Sequence, residues 1–340
     1  MMKKILVSSL LLLILSIATE AQDSTGTGPL ATARKYSLHG DYNNALVVLN
    51  KALEKDDSNV DLKKEIAYTY FLQRDYGKAL AFAKPLAENR NADVKAFQIL
   101  GMIFAATDEM KMADKMYRDA LKKFPESGAL WNEYGELLWN RKNFAEAAKH
   151  WEKGVEEAPN YSGNYYNLAR YYFFSEDKVW GLLYGEVFVN LESFSKRTPE
   201  IKTMLLEGYK KLFRESDIAN KQEVKNDFIN AYLTVVKDKS DLVSTGVSPA
   251  SLSALRTSFL LDWFAKHATK FPFRLFEYQQ QLARSGLFEA YNQWIFGAAD
   301  DLSAFQQWTA NNNEAYSRFT TLQKSRVFKL PEGQYYHSRK

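Results

Sequence analysis

The chain of 340 residues has no cysteine and only four histidines, His39, His150, His267 and His337. Without thiols there is no thiolate nucleophile, no disulfide, no cysteine-ligated zinc or iron–sulfur cluster, and no acylated-cysteine lipoprotein anchor. An excess of one charge is lacking too. The 45 Lys and Arg against 41 Asp and Glu leave +4, far from the basic stripe of a nucleic-acid binder, so no nucleic-acid partner is expected. Phosphate-binding glycine loops, His-Glu-x-x-His, Gly-x-Ser-x-Gly and calcium-loop spacings are all absent. His39 falls at a turn and His150 beside Trp151, with no second histidine at helical spacing. The adjacent carboxylates Asp56-Asp57, Glu156-Glu157 and Asp300-Asp301 diverge by about 100° on a helix and read as solvated faces. The expectation is a protein that is not an enzyme, with no catalytic residue, no metal site and no cofactor.

What is present begins with a targeting pattern. Lys3 and Lys4 precede Ile5 to Ala18, a 14-residue stretch whose only polar side chains are serines, and Thr19-Glu20-Ala21 offers small residues at a cleavage site. As a helix the stretch rises about 21 Å, short of the roughly 30 Å hydrocarbon core. Residues 1–21 therefore read as a signal peptide cleaved before Gln22, followed by a polar flexible leader over 22–28. No later run is apolar for long enough to span a bilayer. Because disulfides are common in eukaryotic secretory pathways, a secreted chain without cysteine fits a bacterial periplasm better.

The organisation emerges on a period of 34. Ala45, Ala79, Ala113 and Ala147 are each 34 residues apart, preceded three positions earlier by Tyr42, Tyr76, Met110 and Phe144. In the same frame lie Ala33, Ala67, Gly101 and Gly135, then Tyr36, Tyr70, Phe104 and Leu138, and Pro125 and Pro159 close two of the units. Each unit reads as two amphipathic helices and a turn. Small residues in both helices permit close antiparallel packing while large aromatics fill the flanks.

This pattern resembles the tetratricopeptide repeat family, whose small-aromatic-small signature has a 34-residue period. The units at 94–127 (Phe97, Leu100, Gly101, Phe104, Ala113, Tyr117, Ala120, Pro125) and 128–161 (Trp131, Tyr134, Gly135, Leu138, Ala147, Trp151, Pro159) resemble it most closely. Those at 26–59 and 60–93 are weaker but in register. A fifth, 162–195, keeps Tyr165, Leu168, Ala169 and Tyr172 but has Gly181 and Gly185 where Ala and a large residue belong, and reads as a degenerate terminal repeat. The resemblance implies an all-α fold, a right-handed α-solenoid with a concave groove, over 26–195.

Residues 196–340 leave the period and form an additional helical module. Charge changes there, from 22 Lys and Arg against 24 Asp and Glu in 26–195 to 21 against 15. Pro199 reads as a hinge. Helical spacing recurs over 200–214, 222–237, 250–269, 274–285, 287–296 and 302–325, with Ser248 before Pro249 as a helix start and Gly286 and Gly297 as stops. Leu282, Gly286, Phe288 and Tyr291 read as a hairpin shaped like the repeats. The stretches at 276–281 and 289–297 are similar to the carboxyl-terminal part of secreted repeat proteins of Gram-negative bacteria, from which no function carries over.

In the repeat family the second, fifth, ninth and twelfth positions of each first helix face the groove. That frame nominates Lys64, Tyr68 and Phe71; Lys95, Gln98 and Met102; Asn132, Glu136 and Trp139; and Tyr166, Arg170 and Phe173. Such a mixture of aromatics, amides and charges suits an extended peptide or a partner helix. Some family members grip a terminal carboxylate with Lys and Asn at positions five and nine of the first repeat. Leu30 and Arg34 stand there instead, which argues against that clamp. The reading is a protein–protein interaction scaffold of the bacterial envelope that binds a protein or peptide partner. Two alternatives stay open: a glycan binder using exposed aromatics such as Trp294 and Trp308, and an enzyme with its site around His267 in the second half.

Overall fold

The computed structural model describes residues 28–214 and 226–337, so the expected signal peptide and nearly all of the leader lie outside the described residues. Ten helices follow one another in pairs: α1 Pro29–Leu38, α2 Tyr42–Leu53, α3 Val60–Leu72, α4 Tyr76–Glu88, α5 Val94–Ala106, α6 Met110–Lys123, α7 Gly128–Asn140, α8 Phe144–Glu157, α9 Ser162–Phe173 and α10 Lys178–Leu191. Then come α11 Thr198–Arg214, α12 Asp227–Lys237, α13 Pro249–Lys266, α14 Arg274–Arg284, α15 Phe288–Asn292, α16 Ala298–Asp300, α17 Leu302–Asn311 and α18 Asn313–Ser325. The fold is all-α, with no strand among the described residues. Nor is any of the described helices long and apolar enough to cross a membrane. The chain divides into two compact units, one ending at Lys142 and the other beginning at Asn143.

Local chemistry sets the phase. The side chains of Asn59, Asp93 and Ser127 accept hydrogen bonds from the N–H groups of Leu62, Ala96 and Leu130, capping α3, α5 and α7. The turn after each of the first four first helices has one left-handed residue. Gly40 (φ 77°), Arg74 (63°), Asp108 (60°) and Lys142 (61°) supply it, again at the repeat spacing. Only the first is glycine, so the other three bear a local cost of roughly 1–2 kcal/mol each.

In the unit ending at Lys142, successive helices pack in chain order around fully buried Ala33, Ala45, Ala67, Ala79 and Ala113. At Gly101 the approach of α6 is closer still, because a Cβ there would overlap the Tyr117 hydroxyl. Tyr117 in turn stacks on Tyr134 with ring centroids 5.5 Å apart.

The second unit is organised around α10, every residue of which from Val179 to Asn190 is buried. A helix with no solvent face belongs in the middle of a core. Gly181 and Gly185, read from sequence as decay of a terminal repeat, each mark a close approach here: a Cβ on Gly181 would lie 3.0 Å from the Phe173 backbone of α9. A Cβ on Gly185 would lie 3.1 Å from Leu205, and one on Gly208 would lie 2.7 Å from Leu182, so α10 and α11 meet at a close crossing. Residues after 195 therefore build directly onto the fifth repeat. Pro199 is no hinge. It sits in the first turn of α11, and the loop before it is pinned by Arg197, which pairs with Glu192 (3.0 Å) and lies 4.6 Å from the Tyr166 ring centroid.

One charge sits inside this core. Glu186 of α10 is buried and accepts from Arg256 of α13, Gln279 of α14 (2.8 Å) and the Tyr291 hydroxyl of α15 (2.9 Å). Burial opposes charge on Arg256, but Glu186 beside it raises the guanidinium pKa overall. Asn292 accepts a second Arg256 donor. Past Asn292 the helix widens into a π-turn over Gln293–Gly297 before α16. Ser248 and Ser251 form the capping box that starts α13, and Gly286 (φ 68°) turns the chain between α14 and α15. The stretch 302–325, read as one helix, is two, broken at Asn312, whose side chain bonds the Trp308 carbonyl at 2.9 Å.

Ala113 is fully enclosed, so Ala113→Leu is expected to destabilise the chain by about 1–3 kcal/mol, measured by chemical denaturation.

Candidate functional site

The residues nominated for the groove fall on α3, α5 and α7 in the first unit and on α9 in the second. Within the first unit these helices are joined by side chains that reach from one repeat to the next. Arg34 meets Glu65 at 2.9 Å, Lys64 meets Asp93 at 2.7 Å, and Gln98 donates to Glu133 at 2.6 Å. Lys64 also pairs with Asp61 at 2.7 Å. Burial opposes its charge, yet hydrogen bonds to Asp61 and Asp93 outweigh that and raise its pKa. Lys64 and Gln98 thus act first as staples between repeats.

The aromatics of this face behave differently. Tyr68 and Phe71 are half-buried and stack on one another with centroids 6.2 Å apart, and Phe71 leans on Tyr76 at 6.0 Å. Trp139, Lys95 and Glu136 are half-buried too. Met102 and Asn132 are buried. Met102 belongs to α5, which buries side chains around its whole circumference, and Asn132 donates to Glu136 of its own helix at 2.9 Å. Neither presents an open surface to a partner.

In the second unit Tyr166 is buried and donates to Glu200 at 2.7 Å, and half-buried Arg170 approaches the same carboxylate at 3.3 Å. Half-buried Phe173 carries the Lys211 ammonium 3.9 Å from its ring centroid, at the rim of a shallow pocket that also involves Ala169, Met204 and Gly208.

The sequence reading did not single out the acidic partners of these staples: Glu65, Asp93, Glu133 and Glu200. A signal for three of them was available, since position five of a first helix (Lys64, Gln98, Tyr166) finds an acid at or near the start of a later helix, Asp93, Glu133 and Glu200. Glu133 is the most perturbed. Burial pushes its pKa up to about 7, against the Gln98 hydrogen bond that lowers it, and the nearby Glu136 charge raises it further.

The alternative sites fare less well as surfaces. Trp294 is buried, and its ring is covered by Lys202, whose Nζ lies 3.5 Å from the centroid. Burial lowers the Lys202 pKa to about 7. Trp308 is half-buried and its indole donates to Glu289 at 3.3 Å. His267 caps the end of α13 with its ring 5.4 Å from that of Trp263. His39 and His150 each bond a backbone carbonyl one turn earlier, at 2.8 Å. No group of three or more His, Cys, Asp or Glu that could hold a metal occurs among the described residues.

Residues 113–162, from the second helix of the third unit to the start of the fifth, match the tetratricopeptide repeat family model. No curated protein matches the chain. Among solved structures, the chain is similar to MamA (19% identity, 47% of this chain and 94% of that one, TM-score 0.39). It is also similar to YrrB, described as a repeat protein of this family with an unusual peptide-binding site (18%, 55% and 96%, TM-score 0.35). A third is a monomeric mutant of IFIT1 with Gppp-AAAA (14%, 81% and 58%, TM-score 0.38).

The buried Glu133 carries a signed pH dependence. Its folded pKa of about 7 exceeds the ordinary 4.5, so the folded state binds the extra proton between those values. Stability from this group is fully present below pH 4.5 and is lost as pH rises through 7. Glu133→Gln is expected to reduce the fall in melting temperature between pH 5 and pH 8, by up to about 3 kcal/mol of stability, as read by thermal denaturation at the two pH values.

Proposed function

We propose that this chain is a non-catalytic scaffold of the bacterial envelope that binds an extended peptide or helix of a partner protein on the first-helix face of its repeats. The observation that carries the reading is the pair Tyr68 and Phe71. They sit beside fully buried Ile66 and Ala67 on α3 yet stay half-exposed and stacked on each other. Aromatics kept at the edge of water, with polar staples around them to fix the helices, form the kind of rigid amphipathic platform that peptide grooves use. The match of residues 113–162 to a family whose members generally mediate protein–protein contacts supports the same reading.

Tyr68→Ala together with Trp139→Ala is expected to reduce partner capture in pull-downs at least tenfold while leaving the far-ultraviolet circular dichroism and melting temperature near those of the unchanged chain. An undiminished capture profile would overturn the assignment.

The envelope location rests on Lys3, Lys4, the apolar stretch Ile5–Ala18 and the small residues before Gln22. Mass spectrometry of the chain recovered from a Gram-negative periplasmic fraction is expected to show Gln22 as the amino terminus. An intact Met1 in a cytoplasmic fraction would contradict it.

A further inference from the structure

After α18 the described chain runs from Arg326 to His337 with no helix or strand of its own, yet it is anchored along its length within the second unit. Three apolar side chains are buried: Phe328, Leu330 and Tyr336. The backbone between them is held by side chains. Asn160, in the turn between α8 and α9, accepts from the Leu330 N–H at 2.8 Å and donates to the Leu330 carbonyl at 3.0 Å. Asn226 donates to the Tyr336 carbonyl at 2.7 Å. Such amide clamps read an extended backbone and leave specificity to the side-chain pockets.

The pockets are made by other elements. The Tyr336 ring stacks on Phe228 with centroids 4.6 Å apart, and its hydroxyl donates to the Pro272 carbonyl at 2.6 Å. Phe328 packs edge-on against Tyr278 at 5.9 Å. Tyr335 donates to Glu152 of α8 at 2.7 Å, and His337 shares a hydrogen bond of 2.7 Å with the Tyr172 hydroxyl. Leu330, Tyr335 and Tyr336 roof a small cavity floored by Val155, Tyr165 and Tyr184.

Two features separate the track from the segment lying on it. Asn226 also caps α12 by accepting from the Ile229 N–H at 3.0 Å, and Tyr184 already donates to Glu152 at 2.7 Å, so helices of the second unit orient both groups without the tail. The segment leaves α18 through exposed Val327.

We propose that this track is an extended-peptide site, that residues 326–337 are its ligand bound in cis, and that a partner peptide with the same spacing, Phe-x-Leu followed six residues later by Tyr, displaces them. The site is distinct from the first-helix face and does not depend on the scaffold reading made for it.

The test uses the full chain carrying Leu330→Asp and Tyr336→Asp, which places charge at two buried positions of the tail and lifts it off. A fluorescein-labelled synthetic peptide of residues 326–337 is expected to bind this variant saturably, at least tenfold more tightly than it binds the unchanged chain. Adding Asn160→Ala should weaken binding at least tenfold, as should Leu330→Ala within the peptide. Absence of saturable binding to a variant that melts cooperatively overturns the proposal, as does equal binding to the unchanged chain. Concentration-dependent dimers of the unchanged chain that the peptide dissolves would assign the displacing segment to a second copy and overturn the partner reading. Should the variant not fold, hydrogen exchange on the unchanged chain decides. The Leu330 N–H is expected to exchange at least tenfold faster than the α10 amides, through an opening confined to the tail, and exchange as slow as α10 refutes the idea.

Discussion

A carboxylate enclosed in the middle of a helix with no wet face constrains the second unit more than any other single group. Removing an ion pair from water costs several kcal/mol per ion, recovered only when geometry and hydrogen bonding around it are complete. Glu186 meets that condition with donors from three helices, Arg256, Gln279 and Tyr291. One turn further along the same helix, Asn190 donates to Tyr291 at 2.6 Å, and Arg326 at the start of the tail approaches Asn190 at 3.3 Å. The network therefore ties the last repeat helix to α13, α14 and α15 and to the point where the terminal segment departs. Such a core specifies one arrangement, because each rival arrangement strands a charge.

The first unit obeys a different rule. Its core is mostly apolar, with Glu133 as its buried acid, and its specificity is steric: alanines and glycines at fixed intervals let helices come close, and aromatics such as Tyr117 fill what remains. Where first helices face one another, polar side chains join repeats in sequence. Tyr68, Phe71 and Trp139 are left at the edge of water because the core behind them is already full.

The repeat period was legible because close packing leaves its mark directly on residue size, one small side chain per contact. The helix starts at 60, 94, 128 and 162, and at 42, 76, 110, 144 and 178, follow that spacing. What the sequence concealed are contacts between residues far apart. Gly181 and Gly185 looked like lost consensus, yet the first marks the close approach of α9 and the second the crossing with α11. Pro199 looked like a hinge, since nothing local announces that Arg197 will be held by Glu192 and Tyr166. The polar residues around Glu186 are spread from 186 to 323 with no period to connect them. For the candidate site, the family frame placed residues on the first helices, but position alone could not tell that Met102 and Asn132 would be enclosed by their neighbours. Nor could it tell that Trp294 would be roofed by Lys202.

The staples of the first unit give it a graded mechanics. When each repeat touches only the next, stability behaves as a row of nearest-neighbour couplings. Here the links differ in kind: Arg34 to Glu65 and Lys64 to Asp93 each have one strongly exposed partner and are screened by salt, whereas Gln98 to Glu133 is enclosed. High ionic strength therefore weakens the links from α1 to α3 and from α3 to α5 more than the link from α5 to α7.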